Sequence, residues 1–255
     1  MSKFFSFCIV FCISAMHVHG QESAKKEKKG IAYFAFGSHR ILYSPSDIRF
    51  SRRGDPAFDF TLSNVKAKDE GGLKFKTAPQ FSYTVGYYFK QKGFGLEYQY
   101  DHIKYFMTPG QVLRMRGTVD GKSYNVDTLV DFVSLEHSDG GNYAMVNVVK
   151  WVPLASDRKK NHVLDLIVKG GVGLVNPKTN STIMGKRRDD RYHISGYVVG
   201  AESGLRYNFF RHFFVTTSLK AAFANYRQFL ISNGYGRQKW VSGQVNVLIG
   251  GQFPL

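Results

Sequence analysis

Several reactive side chains crowd together in one stretch, Glu136-His137-Ser138-Asp139-Gly140-Gly141. An imidazole beside a hydroxyl, with carboxylates on either side, is the set from which an activated serine nucleophile is built, the histidine acting as base. In an extended chain adjacent side chains point to opposite faces, so His137 and Ser138 meet only if the backbone turns. The plainer reading is a Ser-Asp-Gly-Gly turn or bulge, with Gly140 and Gly141 supplying special backbone angles. A second set comprises His39-Arg40, Asp101-His102 and Lys104. Three histidines (His39, His102, His137) meeting near Asp101 or Asp139 would offer a metal site, but no close zinc-type ligand spacing joins them, and neither metal nor cofactor is expected.

Cations are the broader signal. The chain has 35 Lys+Arg against 19 Asp+Glu. Arg49, Arg52 and Arg53 form one basic group, Lys186, Arg187, Arg188 and Arg191 another, and Arg227, Arg237 and Lys239 a third; Asp189 and Asp190 adjoin the second. Arginine meets phosphate as a two-pronged donor and lysine as a point charge. These groups are expected to bind a phosphate-bearing polyanion. Nucleic acid, which such charge would otherwise suggest, conflicts with the address read from the N-terminus.

That address is residues 1–20, MSKFFSFCIVFCISAMHVHG. Lys3 precedes an apolar block from Phe4 to Ala15, and Val18 and Gly20 are small residues at the spacing of a cleavage site. The block is too short to cross a ~30 Å hydrocarbon layer comfortably. A mature chain starting at Gln21 is expected, with residues 21–29 a polar Lys-rich lead and 30–255 one domain. Cleavage removes both cysteines, Cys8 and Cys12, and with them any disulfide or thiolate chemistry.

The elements that must position these groups alternate with period 2. Strands are predicted at 80–89, 94–105, 163–174, 192–207, 213–225 and 240–250, and less cleanly near 31–43 and 142–151, making eight. Aromatic content of 15% and hydrophobic content of 43% exclude a disordered chain. The strand lengths suit a tilted membrane span of ~9–11 residues. Longer connections (45–79, 107–141, 175–191, 226–238) alternate with short ones (90–93, 153–162, 208–212), as in barrels with short periplasmic turns and long external loops. Tyr87, Tyr88, Trp151, Tyr207 and Trp240 sit near strand ends, where aromatic girdles form.

The leader, the eight amphipathic strands and a final strand VSGQVNVLIGGQFPL resemble small bacterial outer-membrane barrels of the OmpA/OmpX type. The resemblance is architectural. It implies an all-β, eight-stranded, antiparallel up-and-down transmembrane barrel in the outer membrane, inserted by the barrel-assembly machinery and monomeric. So narrow an interior is filled by side chains. The inward set would be Glu97, Asp101, Asp165, Lys169, Glu202, Arg206 and Lys220, paired as a structural plug. The expected partners are outer-membrane lipids and lipopolysaccharide, met by basic external loops through Arg52, Arg53, Lys186, Arg187, Arg188, Arg227 and Arg237. A lipid A deacylase using His137, Ser138 and Asp139 is the first alternative; deacylase motifs separate His and Ser by one residue, and here they are adjacent. A small channel is the second.

Overall fold

The structure is a computed structural model that describes residues 29–69, 80–137, 140–189 and 191–255. The leader, most of the Lys-rich lead, Ser138, Asp139 and Asp190 lie outside the described residues.

β1 (Gly30–Tyr43) is a barrel strand that ends before Pro45, which cannot donate to a ladder. The chain then builds β2 (Ser46–Arg52), β3 (Phe58–Val65) and the short β4 (Ala67–Lys68) beyond the barrel. It re-enters the barrel through β5 (Phe81–Phe89), turns within four residues, and leaves through β6 (Phe94–His102). A second excursion holds β7 (Tyr105–Met107), β8 (Gln111–Val119), β9 (Lys122–Val130) and β10 (Val133–His137). β11 (Tyr143–Ser156) and β12 (His162–Val175) are the next barrel pair, followed by β13 (Asn180–Ile183) and β14 (Lys186–Asp189). β15 (Gly196–Phe209), β16 (Phe213–Ile231) and β17 (Gly234–Pro254) complete the chain.

Eight of these strands close on themselves in the order β1-β5-β6-β11-β12-β15-β16-β17, with β17 pairing antiparallel to β1. Following paired residues around the ring goes Tyr33, Gly86, Glu97, Asn147, Gly171, Gly200, Ala222, Ser242 and back to Tyr43. One circuit returns ten residues further along β1, and a stagger of this kind forces the strands to tilt. This row faces inward, and its glycines make room. A Cβ on Gly86 would collide with the Tyr33 ring, which fills that space instead.

The distribution of side chains is the reverse of a water-soluble sandwich. Val172 is 62% exposed, Leu219 67% and Ile249 59%, whereas Asp101 is fully buried. Such a band of exposed aliphatic side chains on a closed ring is stable against lipid and aggregates in water. The girdle reading needs correction. Tyr88 and Trp240 are buried, and Trp151 packs inward against Tyr88 at 4.1 Å, so these three do not face lipid. Outward rings cluster instead at the short turns, where Phe89 meets Phe94 and Phe209 meets Phe213.

The described parts of the long connections are largely strands. The tips of β16 and β17 continue past the barrel and carry β2, β3, β8 and β9 on one edge. A second sheet, β14-β13-β10-β7-β4, packs against them. Buried residues of both sheets, among them Ile48, Phe50, Phe60, Leu62, Leu135 and Ile183, belong to one apolar cluster. Each such side chain contributes roughly 1.5–3 kcal/mol on burial. The expected loop 226–238 is the end of the β16–β17 hairpin, with its turn at 232–233 and a bulge between Tyr226 and Phe229.

Candidate functional site

Inside the barrel the seven expected ionisable residues all lie buried in the lumen. Lys169 Nζ sits 2.8 Å from Glu97 Oε1 and 3.2 Å from Glu202 Oε1. Tyr33 donates to Glu97 Oε2 at 3.0 Å, and Ser218 donates to Glu202 Oε1 at 2.5 Å. Lys220 donates to Asp101 Oδ2 at 2.5 Å, while Ser82 donates to Asp101 Oδ1 at 2.6 Å. Arg206 is held differently. It donates to Asn208 Oδ1 (3.0 Å) and Gln252 Oε1 (2.8 Å), and its guanidinium lies 3.4 Å from the Phe214 ring centre and 4.1 Å from that of Trp151. Asp165, opposite Arg206 in register, instead accepts from Asn208 at 2.8 Å.

The three histidines do not converge. His39 Nδ1 meets Ser82 Oγ at 2.8 Å, His102 Nδ1 meets Asn142 Oδ1 at 2.9 Å, and His137 Nδ1 meets Thr179 Oγ1 at 2.9 Å. No group of His, Cys, Asp and Glu able to hold a metal occurs among the described residues. His137 is fully buried in a box of rings, stacked on Tyr226 at 5.2 Å with Tyr105, Phe229 and Trp240 around it. Burial alone pushes its pKa down to about 3. Among the described residues this imidazole packs as part of the floor of the cap, and Ser138 and Asp139 lie outside them.

The basic residues fall into two sets that the sequence does not distinguish. Arg52 turns inward, is buried, donates to the Pro56 carbonyl at 2.9 Å and lies 4.7 Å from the Phe58 ring centre. Arg53 is exposed in the turn beside it. Lys186 donates to the Asp55 carbonyl and Arg188 to the Ile231 carbonyl at 3.3 Å, so both fasten the β14 edge to neighbouring hairpin tips. Arg187, between them, is exposed. These residues lie on and beside strands that build the cap, not in free loops.

The second set forms a wall. Arg237 pairs with Arg49 across β17 and β2, Arg49 with Thr61 across β2 and β3, and Thr61 with Arg116 across β3 and β8. Directly paired residues share a face, with neighbouring strands about 4.8 Å apart. Lys239 and Arg114 lie in the adjacent row, one step nearer the barrel. Arg227 leans over the outward ring of Tyr197, 5.1 Å from its centre. Below Lys239 on the same face of β17 begins the apolar band, with Val241 54% exposed.

Two carboxylates partly neutralise this wall. Asp59 accepts a two-pronged bond from Arg49 (2.7 and 2.6 Å), which holds its carboxyl below the usual range. Asp127 sits 3.4 Å from Arg114. Arg116, Arg237 and Lys239 make no direct ion pair among the described residues, although the charge of Arg237 also acts on Asp59. An open groove of about 540 Å³ lies beside Arg237 and Lys239, lined also by Pro45, Asp47, Arg49 and Thr61. Arg114 and Arg116 do not stand out in the sequence as candidate site residues. Their signal is the alternation of buried Leu113 and Met115 with Arg114 and Arg116, a strand pattern inside a segment read as loop.

Strand number, antiparallel closure, stagger and the inverted placement of apolar and charged side chains define a small β-barrel of transmembrane type that carries a folded β-sheet cap. The chain is similar in shape to several solved barrels at low identity. Ail, the attachment invasion locus protein of Yersinia pestis, solved with the heparin analogue sucrose octasulfate, is 12% identical, with 88% of this chain and 99% of that chain covered and a TM-score of 0.33. Neisserial surface protein A is 8% identical with the same coverage and a TM-score of 0.34. The P. putida toluene transporter TodX is 7% identical, covers 90% of this chain and 91% of its own, and has a TM-score of 0.16. No family model and no curated protein matches the sequence. The fold rests on the chain's own register and not on these likenesses.

Proposed function

We propose that this protein is an outer-membrane surface barrel whose cap presents a rigid basic wall to the phosphate groups of lipopolysaccharide. The observation that carries the reading is the cross-strand row Arg237–Arg49–Thr61–Arg116, set on one face just beyond the apolar band. Lipid phosphates lie at the same border between hydrocarbon and water. Charge-assisted bonds from arginine to phosphate are roughly twice as strong as neutral ones. A strand-borne row also loses less backbone freedom on binding than a loop would.

The test replaces Arg49, Arg116 and Arg237 together by Gln and measures co-purifying lipopolysaccharide per barrel across a salt series. The wild-type association should fade as salt rises, since exposed charges are screened over ~8 Å at physiological strength. The variant should carry less lipopolysaccharide and show a shallower salt slope, while heat-modifiable gel migration reports an intact barrel. Equal amounts and slopes in both proteins would reduce the row to a solvated surface. For location, N-terminal sequencing of outer-membrane fractions should begin at Gln21; an intact Met1 in a soluble fraction contradicts the reading.

A further inference from the structure

The opposite end of the barrel carries a second concentration of cations that the lipopolysaccharide reading does not use. There the short turns at 90–93, 157–161 and 210–212 surround the mouth of the lumen. The mouth is an open bowl of about 390 Å³ lined by Lys90 from the first turn, Lys159 and Lys160 from the second and Arg211 from the third, with Trp151 and Asp165 in its wall. Arg211 is oriented by a bond from its Nε to Asn161 Oδ1 at 3.1 Å, which ties two of the turns together. Two acids stand nearby, Asp165 within the wall, and neither is ion-paired with these cations. Asp157 accepts from the His162 amide at 2.8 Å, and Asp165 accepts from Asn208 at 2.8 Å. Lys90, Lys159 and Lys160 are exposed and have no carboxylate partner among the described residues.

Cations brought together from three separate turns repel one another across the bowl, and an anion relieves that repulsion. Lysine ammonium groups act as compact point charges, and no planar two-pronged match is needed. The suited ligand therefore concentrates charge in a small volume. A phosphate monoester carries about −1.5 to −2 at neutral pH and three strong acceptor oxygens, where a single carboxylate carries one charge. The bowl is closed above. Arg206 and its aromatic neighbours fill the level over it, and the Lys169 and Lys220 networks lie beyond. The bowl therefore opens to one side only.

We propose that the short-turn mouth of the barrel, through Lys90, Lys159, Lys160 and Arg211, is a binding site for a multiply charged phosphate group. The chain offers its own reporter. Of its two tryptophans, Trp151 lines the bowl and Trp240 is buried at the cap end. The indole N–H resonances of the full-length barrel in zwitterionic micelles are followed while inorganic pyrophosphate is added, with sodium acetate at matched ionic strength as control. The expected result is a saturable shift of the Trp151 signal, an unmoved Trp240 signal, and no saturable response to acetate.

The exposed triple variant Lys90→Gln/Lys159→Gln/Lys160→Gln should weaken pyrophosphate affinity about tenfold or more, about 1.4 kcal/mol. Nanodiscs of phosphatidylcholine with or without phosphatidic acid, whose headgroup is a phosphate monoester, then distinguish the source. A Trp151 shift on adding phosphatidic acid, lost in the triple variant, assigns the site to a lipid headgroup. A response to soluble pyrophosphate alone assigns it to a free phosphate ligand. No saturable Trp151 shift with either probe, equal shifts in wild type and variant, or an acetate response matching that of pyrophosphate overturns the proposal.

Discussion

At the scale of single residues, the lumen is a set of charges that stay buried only because each has been given partners. Lys169 bridges Glu97 and Glu202, so its one charge is shared by two carboxylates. Lys169→Met leaves both acids facing each other without their cation. Removing one partner of a buried ion pair costs about 3–5 kcal/mol, and the variant should unfold at markedly lower urea or temperature on heat-modifiable gels. Arg206→Leu should cost less. Its direct partners are amides and ring faces, so its loss breaks hydrogen bonds and packing but no direct ion pair, and removes only a longer-range attraction to Asp165 and Glu97. An Arg206→Leu variant as unstable as Lys169→Met would show that Asp165 depends on Arg206 more than the distances imply. His137 gives a pH prediction outside the membrane span. It is neutral in the folded cap, with a pKa of about 3, against an unfolded value near 6.5. A lowered histidine pKa means that the unfolded chain binds the proton first, so its contribution is full above pH ~6.5 and lost progressively as pH falls toward 3. The protection factors of cap amides, each referred to the intrinsic exchange rate at that pH, should therefore fall below pH ~6.5 in the wild type, and His137→Phe should flatten that dependence.

At the scale of elements, the cap stands on hairpins whose turns are written locally. Asp120 and Gly121 both have positive φ (45° and 76°), as do Met184 and Gly185 (50° and 76°). Such pairs match the twist of two-residue hairpins, and Asp-Gly is among the strongest local signals for them. The Asp120-Gly121 signal stands in a segment whose sequence otherwise reads as loop. The tips are joined by long cations. Lys186 and Arg188 reach carbonyls of the 53–57 turn and of Ile231. Replacing both by Gln should speed amide exchange in β13 and β14 and leave the barrel amides unchanged, because hydrogen bonds to charged groups contribute about 1.5–3 kcal/mol when sheltered and less where exposed. A drop in bound lipopolysaccharide with unchanged exchange would instead make these two cations ligand contacts.

At the scale of the whole molecule, the barrel is closed in two layers. The polar network fills the lumen. Above it Trp240, Tyr226, Tyr105 and His137 stack into the cap core, with Trp240 donating to Tyr143 at 2.8 Å. Planar bilayers containing the protein should show no conductance steps. Lys169→Ala should stay silent too, because the aromatic layer is intact. Steps in that variant would locate the seal in the lumen network alone. The same closure makes the two ends of the molecule independent, and ligands at the outer wall and at the short-turn mouth should bind without affecting each other.

The barrel is legible along the chain. Period-2 alternation decides which side chains share a face, so the order of residues alone groups Glu97, Asp101, Lys169, Glu202 and Lys220 in the lumen, although it does not pair them. The alternation of long and short connections sets the order of the strands. The cap is legible only in three dimensions. Its long excursions become two sheets because their apolar residues are buried only against partners far away in the chain, as Phe50 is against Phe60 and Phe229. The cations, too, are sorted by the fold. Arg52 and Arg49 are three residues apart and equally basic, yet one turns inward over Phe58 and the other joins Arg237 and Arg116 on the outer wall. Local sequence fixes the alternation of faces along a strand, but only the pairing of strands fixes which face looks inward and which residues become neighbours across it.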